Sequence, residues 1–119
     1  MKQRHINTVK KLCKKSTSKF RLACIITYKN KLISKGINNM TKTHPMSTVH
    51  SNTLHAEISA ISKVSSNLSG CTAYIYRELN NGDRALAKPC SHCMKKLKLA
   101  GIKKICYTCN NGSFKEELI

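Results

Sequence analysis

Two short stretches gather residue types that do metal chemistry. They are His55-Ala56-Glu57 and Pro89-Cys90-Ser91-His92-Cys93, each at the predicted start of a helix. Cys90 and Cys93 are three apart, which puts both sulfurs on one face of a first helical turn. The unpaired N–H groups and the dipole of a helix N-terminus favour thiolates there. Two thiolates and the His55 imidazole make three ligands of a tetrahedral zinc, one ion per chain. The fourth position is left to water, the pattern of a catalytic site rather than a closed structural one. Glu57 lies two residues beyond His55, turned off the ligand direction and better placed to reach that water than the metal. A carboxylate so placed takes a proton from water whose pKa the metal lowers toward about 7.

The elements that must hold these residues are legible from periodicity. Residues 3–17 read as a helix with Ile6, Val9, Leu12 and Cys13 on one face and Lys10, Lys11, Lys14 and Lys15 around the rest. "FRLACIITY" (20–28) reads as a buried strand, and Lys29-Asn30-Lys31 as a tight turn into "LIS" (32–34), giving a hairpin. Residues 35–52 form a long polar connection with Gly36 and Pro45. Ile58, Ile61, Val64 and Leu68 then recur at helical spacing, with Gly70 as the stop. "CTAYIYR" (71–77) is a strand and 78–88 a loop with a turn at Asn81-Gly82. Pro89 is expected to open a helix that Gly101 closes. "IKKICYT" (102–108) is a further strand, after which only a last antiparallel edge strand or a frayed tail fits. Strands 71–77 and 102–108 are joined by a loop and helix of crossover length, which predicts a parallel pair. The fold class expected is α/β, a single domain over residues 1–119 with a central mixed sheet covered by helices on both faces.

Totals narrow the setting. At 119 residues the chain fits one core, and no 18-residue apolar run exists to cross a membrane. The charged N-terminus lacks the apolar stretch of a secretory signal, so a cytoplasmic or nuclear location is expected. Seven cysteines cannot all pair internally, and in a reducing compartment they serve metal binding and burial. The 22 Lys and Arg against 5 Asp and Glu give a formal charge of +17, a field that attracts nucleotides, nucleic acid or anionic lipid. The plainer reading of that charge is a solvated Lys-rich surface.

Together, in this order and on helix starts, the two stretches make the pattern H-x-E…P-C-x-x-C. On it, over about residues 20–108, the chain resembles the cytidine and deoxycytidylate deaminase superfamily of zinc-dependent enzymes. The resemblance implies a three-layer α/β/α cytidine deaminase-like fold, with His55, Cys90 and Cys93 as zinc ligands and Glu57 as proton shuttle. It further implies that the Ala56 backbone N–H holds a base oxygen. Lys35-Gly36-Ile37-Asn38 looks like the family's Gly-x-Asn element, whose Asn contacts the sugar. Two departures stand out. An eleven-residue loop (78–88) separates the strand from Pro89, where compact members pass almost directly. It is expected at the mouth of the site, with Arg84 and Lys88 meeting phosphates; the plainer reading is a solvated turn. The C-terminal segment after the last Cys is also short, and self-association into a homo-oligomer is expected.

Other residues weigh less. Cys106 and Cys109 form a second C-x-x-C, but positions three apart in a strand point to opposite faces, so a buried and a strand-end Cys are expected. Cys13, Cys24 and Cys71 read as small core residues, and Tyr74, Tyr76 and Tyr107 as core rather than base-stacking platforms. His92 is expected outward or beside the ligands, and His44 and His50 in the loop ahead of the site. The reading is a hydrolytic deaminase converting cytosine to uracil in a cytidine or deoxycytidylate-type nucleotide. Two alternatives are a deaminase of single-stranded DNA or RNA, favoured by the charge, and a zinc-stabilised nucleic-acid-binding module without turnover. A tRNA adenosine deaminase is a further possibility.

Overall fold

The computed structural model describes residues 3–16, 21–38, 56–64, 67–79 and 81–119. A five-stranded mixed sheet forms its centre. Strand β1 (Arg21–Tyr28) returns as β2 (Lys31–Ile37), and β3 (Thr72–Glu78), β4 (Lys104–Thr108) and β5 (Phe114–Leu118) complete it in the order β2-β1-β3-β4-β5. The hairpin turn has positive φ at both Lys29 (47°) and Asn30 (68°), the geometry whose twist matches the flanking strands. Only β3 and β4 run parallel; the other pairs are antiparallel. A parallel pair needs a crossover, which helix α3 (Ser91–Ala100) provides.

Alternation along β1 sends Cys24 and Ile26 to one face and Ala23 and Ile25 to the other, and both faces are covered. Helix α1 (Gln3–Cys13) lays Ile6, Val9 and Cys13 against Ile25, Tyr74 and Tyr76. Helix α2 (Ala56–Ser62) and α3 cover the other face, where Ala60, Ile61 and Leu97 meet Ile26, Ile75 and Ile105. This is the three-layer arrangement expected. Fully buried Ile25, Ile26, Ile75 and Ile105 are each worth roughly 2–3 kcal/mol, more than any exposed ion pair contributes. The seven cysteines are free thiols, with Cys13, Cys24, Cys71 and Cys106 buried and Cys109 half-buried just past β4.

Several boundaries differ from expectation, including β4, which begins at Lys104 rather than 102. Helix α1 stops at Cys13, and β2 runs on to Ile37 rather than ending at 34. Helix α2 ends at Ser62, where the Ser62 hydroxyl bonds back to the Ser59 carbonyl (3.0 Å). Leu68 is buried as expected but is no longer helical, since its N–H donates to Ala100 O (3.2 Å) at the end of α3. Pro89 does not open α3. It precedes the cap residue Cys90, whose sulfur accepts from the Cys93 N–H and so satisfies one of the free donors of the first turn. The chain after 109 forms a true edge strand, β5, antiparallel to β4.

Helix α2 approaches the sheet unusually closely at one point. A Cβ built on Gly36 of β2 would lie 2.6 Å from both the Ala56 carbonyl oxygen and the Ala60 nitrogen. Beside it the Ser34 hydroxyl donates to Ala60 O at 2.7 Å. Gly36 is therefore required for space, since its φ is not in the left-handed region. That contact sets how far the first turn of α2 stands from the sheet.

Candidate active site

The first turn of α2 carries Glu57, 3% exposed. Its Oε1 is buried and has no hydrogen-bond partner among the described residues. Leaving such an atom unpaired costs on the order of 1–3 kcal/mol, so its presence calls for a ligand. Burial raises its pKa to about 7, opposed by hydrogen bonds from its own backbone and from the Cys93 thiol. A carboxyl titrating there is matched to moving protons at neutral pH. His55 lies outside the described residues, as do His44 and His50.

The thiols come from the loop-to-helix junction before α3. Cys90 is exposed, Cys93 fully buried, and the Cys93 N–H points at Cys90 Sγ (3.5 Å). The helix-start environment expected to favour thiolates is present. At Cys93, however, burial dominates and pushes the thiol well above its ordinary range, with the charge of Glu57 adding to it. Ionising such a thiol needs a cation close by. The site thus offers an exposed and a buried sulfur on one helical turn, with a partnerless carboxylate oxygen beside them. That donor set fits a zinc ion with water at one position. Among the described residues no three His, Cys, Asp or Glu cluster by themselves; His55, the third ligand expected from the sequence, lies outside them.

A cavity of about 260 Å³ opens over Glu57 and Cys90, lined also by Asn38, Leu22, Arg77, Leu86, Ala87 and Lys88. It lies at the carboxyl ends of the parallel strands, where open α/β sheets bind ligands. Asn38 follows β2 directly. Its Oδ1 accepts from Ser16 Oγ (2.7 Å) and Leu22 N (3.0 Å), so the side chain is held on the cavity wall. Ala56 is buried next to Glu57. Lys88 reaches the cavity from the loop and pairs with Glu117 of β5 (3.6 Å).

Arg84 is not brought into this cavity. The loop splits: Leu79–Asp83 closes a turn on itself, and Arg84 bridges back to Glu78. The Arg84 guanidinium donates to Gly112 O (2.8 Å) and to the Tyr76 hydroxyl (3.2 Å), and stacks over the Tyr76 and Phe114 rings on the α1 side of the sheet. The second half, 85–90, does form the cavity wall.

Two residues escaped the sequence reading. Arg77 lines the cavity and donates to Leu86 O (3.2 Å). Strand alternation was the available signal, because Arg77 shares a face with the buried Ala73 and Ile75. Thr108, fully buried, ties the loop to the sheet. Its hydroxyl donates to Ala85 O (2.6 Å) and accepts from Arg77 N (3.1 Å), and its carbonyl accepts from Ala87 N (2.9 Å). A strand-end threonine carries no such signal in sequence.

A family model described as the cytidine and deoxycytidylate deaminase zinc-binding region matches residues 1–109. The chain belongs to that family. It is accordingly a deaminase-type domain with a zinc-binding region. Among solved structures its fold is similar to dCMP deaminase from the cyanophage S-TIM5 in complex with dCMP and dUMP. The TM-score is 0.67 at 19% identity, over 94% of this chain and 89% of that one. The apo form of that enzyme gives 0.63 at 21%, over 92% and 86%. Acinetobacter baumannii RibD gives 0.60 at 22%, over 90% of this chain but 27% of that one. At these identities the likeness shows a shared fold. No curated protein matches the chain. Among the described residues no helix is long and apolar enough to cross a membrane.

Proposed function

We propose that the chain hydrolytically deaminates a cytosine nucleotide of the deoxycytidylate type, releasing ammonia and leaving uracil. The observation that carries this reading is the buried Glu57 Oε1, partnerless among the described residues, beside Cys93 and facing the cavity that Cys90 and Asn38 line. A structural metal site has no use for such a carboxylate. A zinc ion held by His55, Cys90 and Cys93 would supply the positive charge that ionises the buried thiols and acidifies water at the site.

The chain's own residues then do the following. Glu57 Oε1 takes a proton from water as the water oxygen attacks the carbon bearing the amino group. It passes that proton to the adjacent ring nitrogen. It takes the second proton of the same oxygen and delivers it to the amino nitrogen, which leaves as ammonia; water and cytosine thereby become uracil and ammonia. The Ala56 main-chain N–H is assigned to the base oxygen, and Asn38, fixed by Ser16 and Leu22, to the sugar. Lys88 and Arg77 on the cavity wall are assigned to the phosphate. The likeness to a fold solved with dCMP and dUMP supports a nucleotide-sized ligand.

The test is a substrate panel of cytidine, deoxycytidylate, single-stranded DNA, RNA and adenosine-containing tRNA loops, each scored for deamination. Deoxycytidylate is expected to turn over, and Glu57→Gln to keep its zinc while losing at least about a hundredfold in kcat. Turnover confined to the polymers would replace the nucleotide reading. Zinc-loaded protein inert on every substrate would replace it with a binding module.

A further inference from the structure

All five acidic side chains of the chain have local duties. Glu57 is in the site, Glu78 is buried against Arg21 (3.6 Å), and Asp83 accepts from Asn81 in a turn (3.1 Å). Glu116 pairs with Lys104 (2.9 Å), and Glu117 with Lys88 and Lys115. Among the described residues carboxylates pair with Arg21, Lys88, Lys104 and Lys115, and five acids cannot offset 22 Lys and Arg. The excess positive charge meets a concave surface outside the catalytic cavity.

A cleft of about 580 Å³, more than twice the 260 Å³ of the catalytic cavity, opens at the opposite end of the sheet. Its floor is Thr72 and the buried Tyr74 at the start of β3, about 17 Å along the strand from Arg77. One wall is the hairpin turn with Tyr28 and Lys29, and the other carries Lys103 and Lys104. Lys29 and Lys103 make no carboxylate ion pair among the described residues. Tyr28 presents a ring that is 41% exposed, with the Lys29 ammonium 5.4 Å from its centroid. Arg4 of α1 donates to Asn30 O, which anchors the turn that forms this wall. A merely solvated lysine surface has no reason to be concave or to hold a half-exposed aromatic ring beside an ammonium group.

We propose that this cleft is an accessory binding site for single-stranded nucleic acid, separate from the deaminase cavity and indifferent to base sequence. Lys29 and Lys103 on opposite walls meet successive phosphates, and a base stacks on Tyr28. A strand is favoured over one nucleotide because ammonium groups lie on both walls, with β3 between them. A planar lipid surface would leave the cleft and its ring unused. This inference is independent of the substrate assigned above.

The experiment is a fluorescence-anisotropy titration of an oligothymidylate of about 15 nucleotides across a salt series. The full-length zinc-loaded protein is used, with variants checked for unchanged thermal melts. Lys29→Asn with Lys103→Gln is expected to weaken binding at least tenfold. It should also lower the slope of log affinity on log salt by about 1.4, two contacts at about 0.7 each. Tyr28→Ser should weaken binding at least fivefold and leave the slope unchanged. Lys11→Gln with Lys14→Gln removes equal charge from exposed positions at the far end of α1 and just beyond it, away from the cleft, and should change affinity less than twofold. Deoxycytidylate turnover, where wild type has it, should be the same in every variant. Any of four results overturns the proposal: no oligonucleotide binding by wild type, an equal loss in the α1 control, full displacement by millimolar thymidylate, or binding to phosphatidylserine vesicles in place of the oligonucleotide.

Discussion

Gly36→Ala isolates the contact that positions Glu57. The added methyl would sit 2.6 Å from Ala56 O and Ala60 N and 2.8 Å from Ser59 Cβ, against an ordinary contact that begins at 3.4 Å. All three atoms belong to α2, and two are backbone, so no side-chain rotation relieves the overlap. Helix α2 must retreat by about 0.8 Å, or β2 must leave its register opposite Cys24. Overpacking of this kind costs about 1–3 kcal/mol. Stretching the Ser34–Ala60 hydrogen bond adds about 1 kcal/mol, and reduced freedom of the unfolded chain returns about 0.5 kcal/mol. Urea unfolding of the zinc-loaded protein should therefore show a loss of about 2–3 kcal/mol. Because the retreat carries Glu57 away from Cys93, kcat should fall by roughly a hundredfold, the scale set by a displacement near 1 Å. Gly82→Ala is the control. It has φ of 90° with nothing within 4 Å, so it should cost about 1 kcal/mol through backbone strain alone and leave kcat unchanged. A Gly36→Ala protein with wild-type stability and kcat would refute the reasoning.

The remaining predictions concern the metal and the loop. In metal-free protein Glu57 holds its proton up to about pH 7, whereas the unfolded chain releases it near 4.5. This raised carboxyl therefore lowers stability as pH rises from about 4.5 to about 7, by about 3 kcal/mol, and the decline should be absent in Glu57→Gln; parallel stability curves for the two proteins would sink this assignment. Cys90→Ser and Cys93→Ser should each lose bound zinc by elemental analysis, and retention of a full equivalent by either removes that sulfur from the ligand set. Thr108→Val removes the hydroxyl shared by Ala85 O and Arg77 N and should cost about 2–3 kcal/mol in urea unfolding, while KM for the nucleotide rises as the 85–90 wall loosens. An unchanged KM there would separate the loop anchor from substrate binding.

The residues proposed to do chemistry were legible in the sequence. Glu57, Cys90 and Cys93 stand at helix starts, where spacing alone fixes which side chains share a turn. The sheet was legible for a similar reason. Two-residue alternation and the crossover length between 71–77 and 102–108 left few topologies, and the parallel β3–β4 pair followed. Helix ends were less legible, because Ser62 and Leu68 are decided by a back-bonded hydroxyl and by the end of α3 rather than by periodicity.

Tertiary structure decided what lies between those residues. The loop 78–88 reads as one segment that carries both Arg84 and Lys88 to the site, yet Arg84 turns to Tyr76 and Phe114 on one side of the sheet while Lys88 reaches the cavity on the other. Arg77 and Thr108 acquire their places only through pairing between strands that are distant in sequence. Gly36 reads locally as a turn residue, and its requirement for space appears only when α2 is laid across β2. Residue type and spacing determine the chemistry available, because both are local. Burial, the unpaired Glu57 oxygen and the two clefts depend on which surfaces the folded chain brings together.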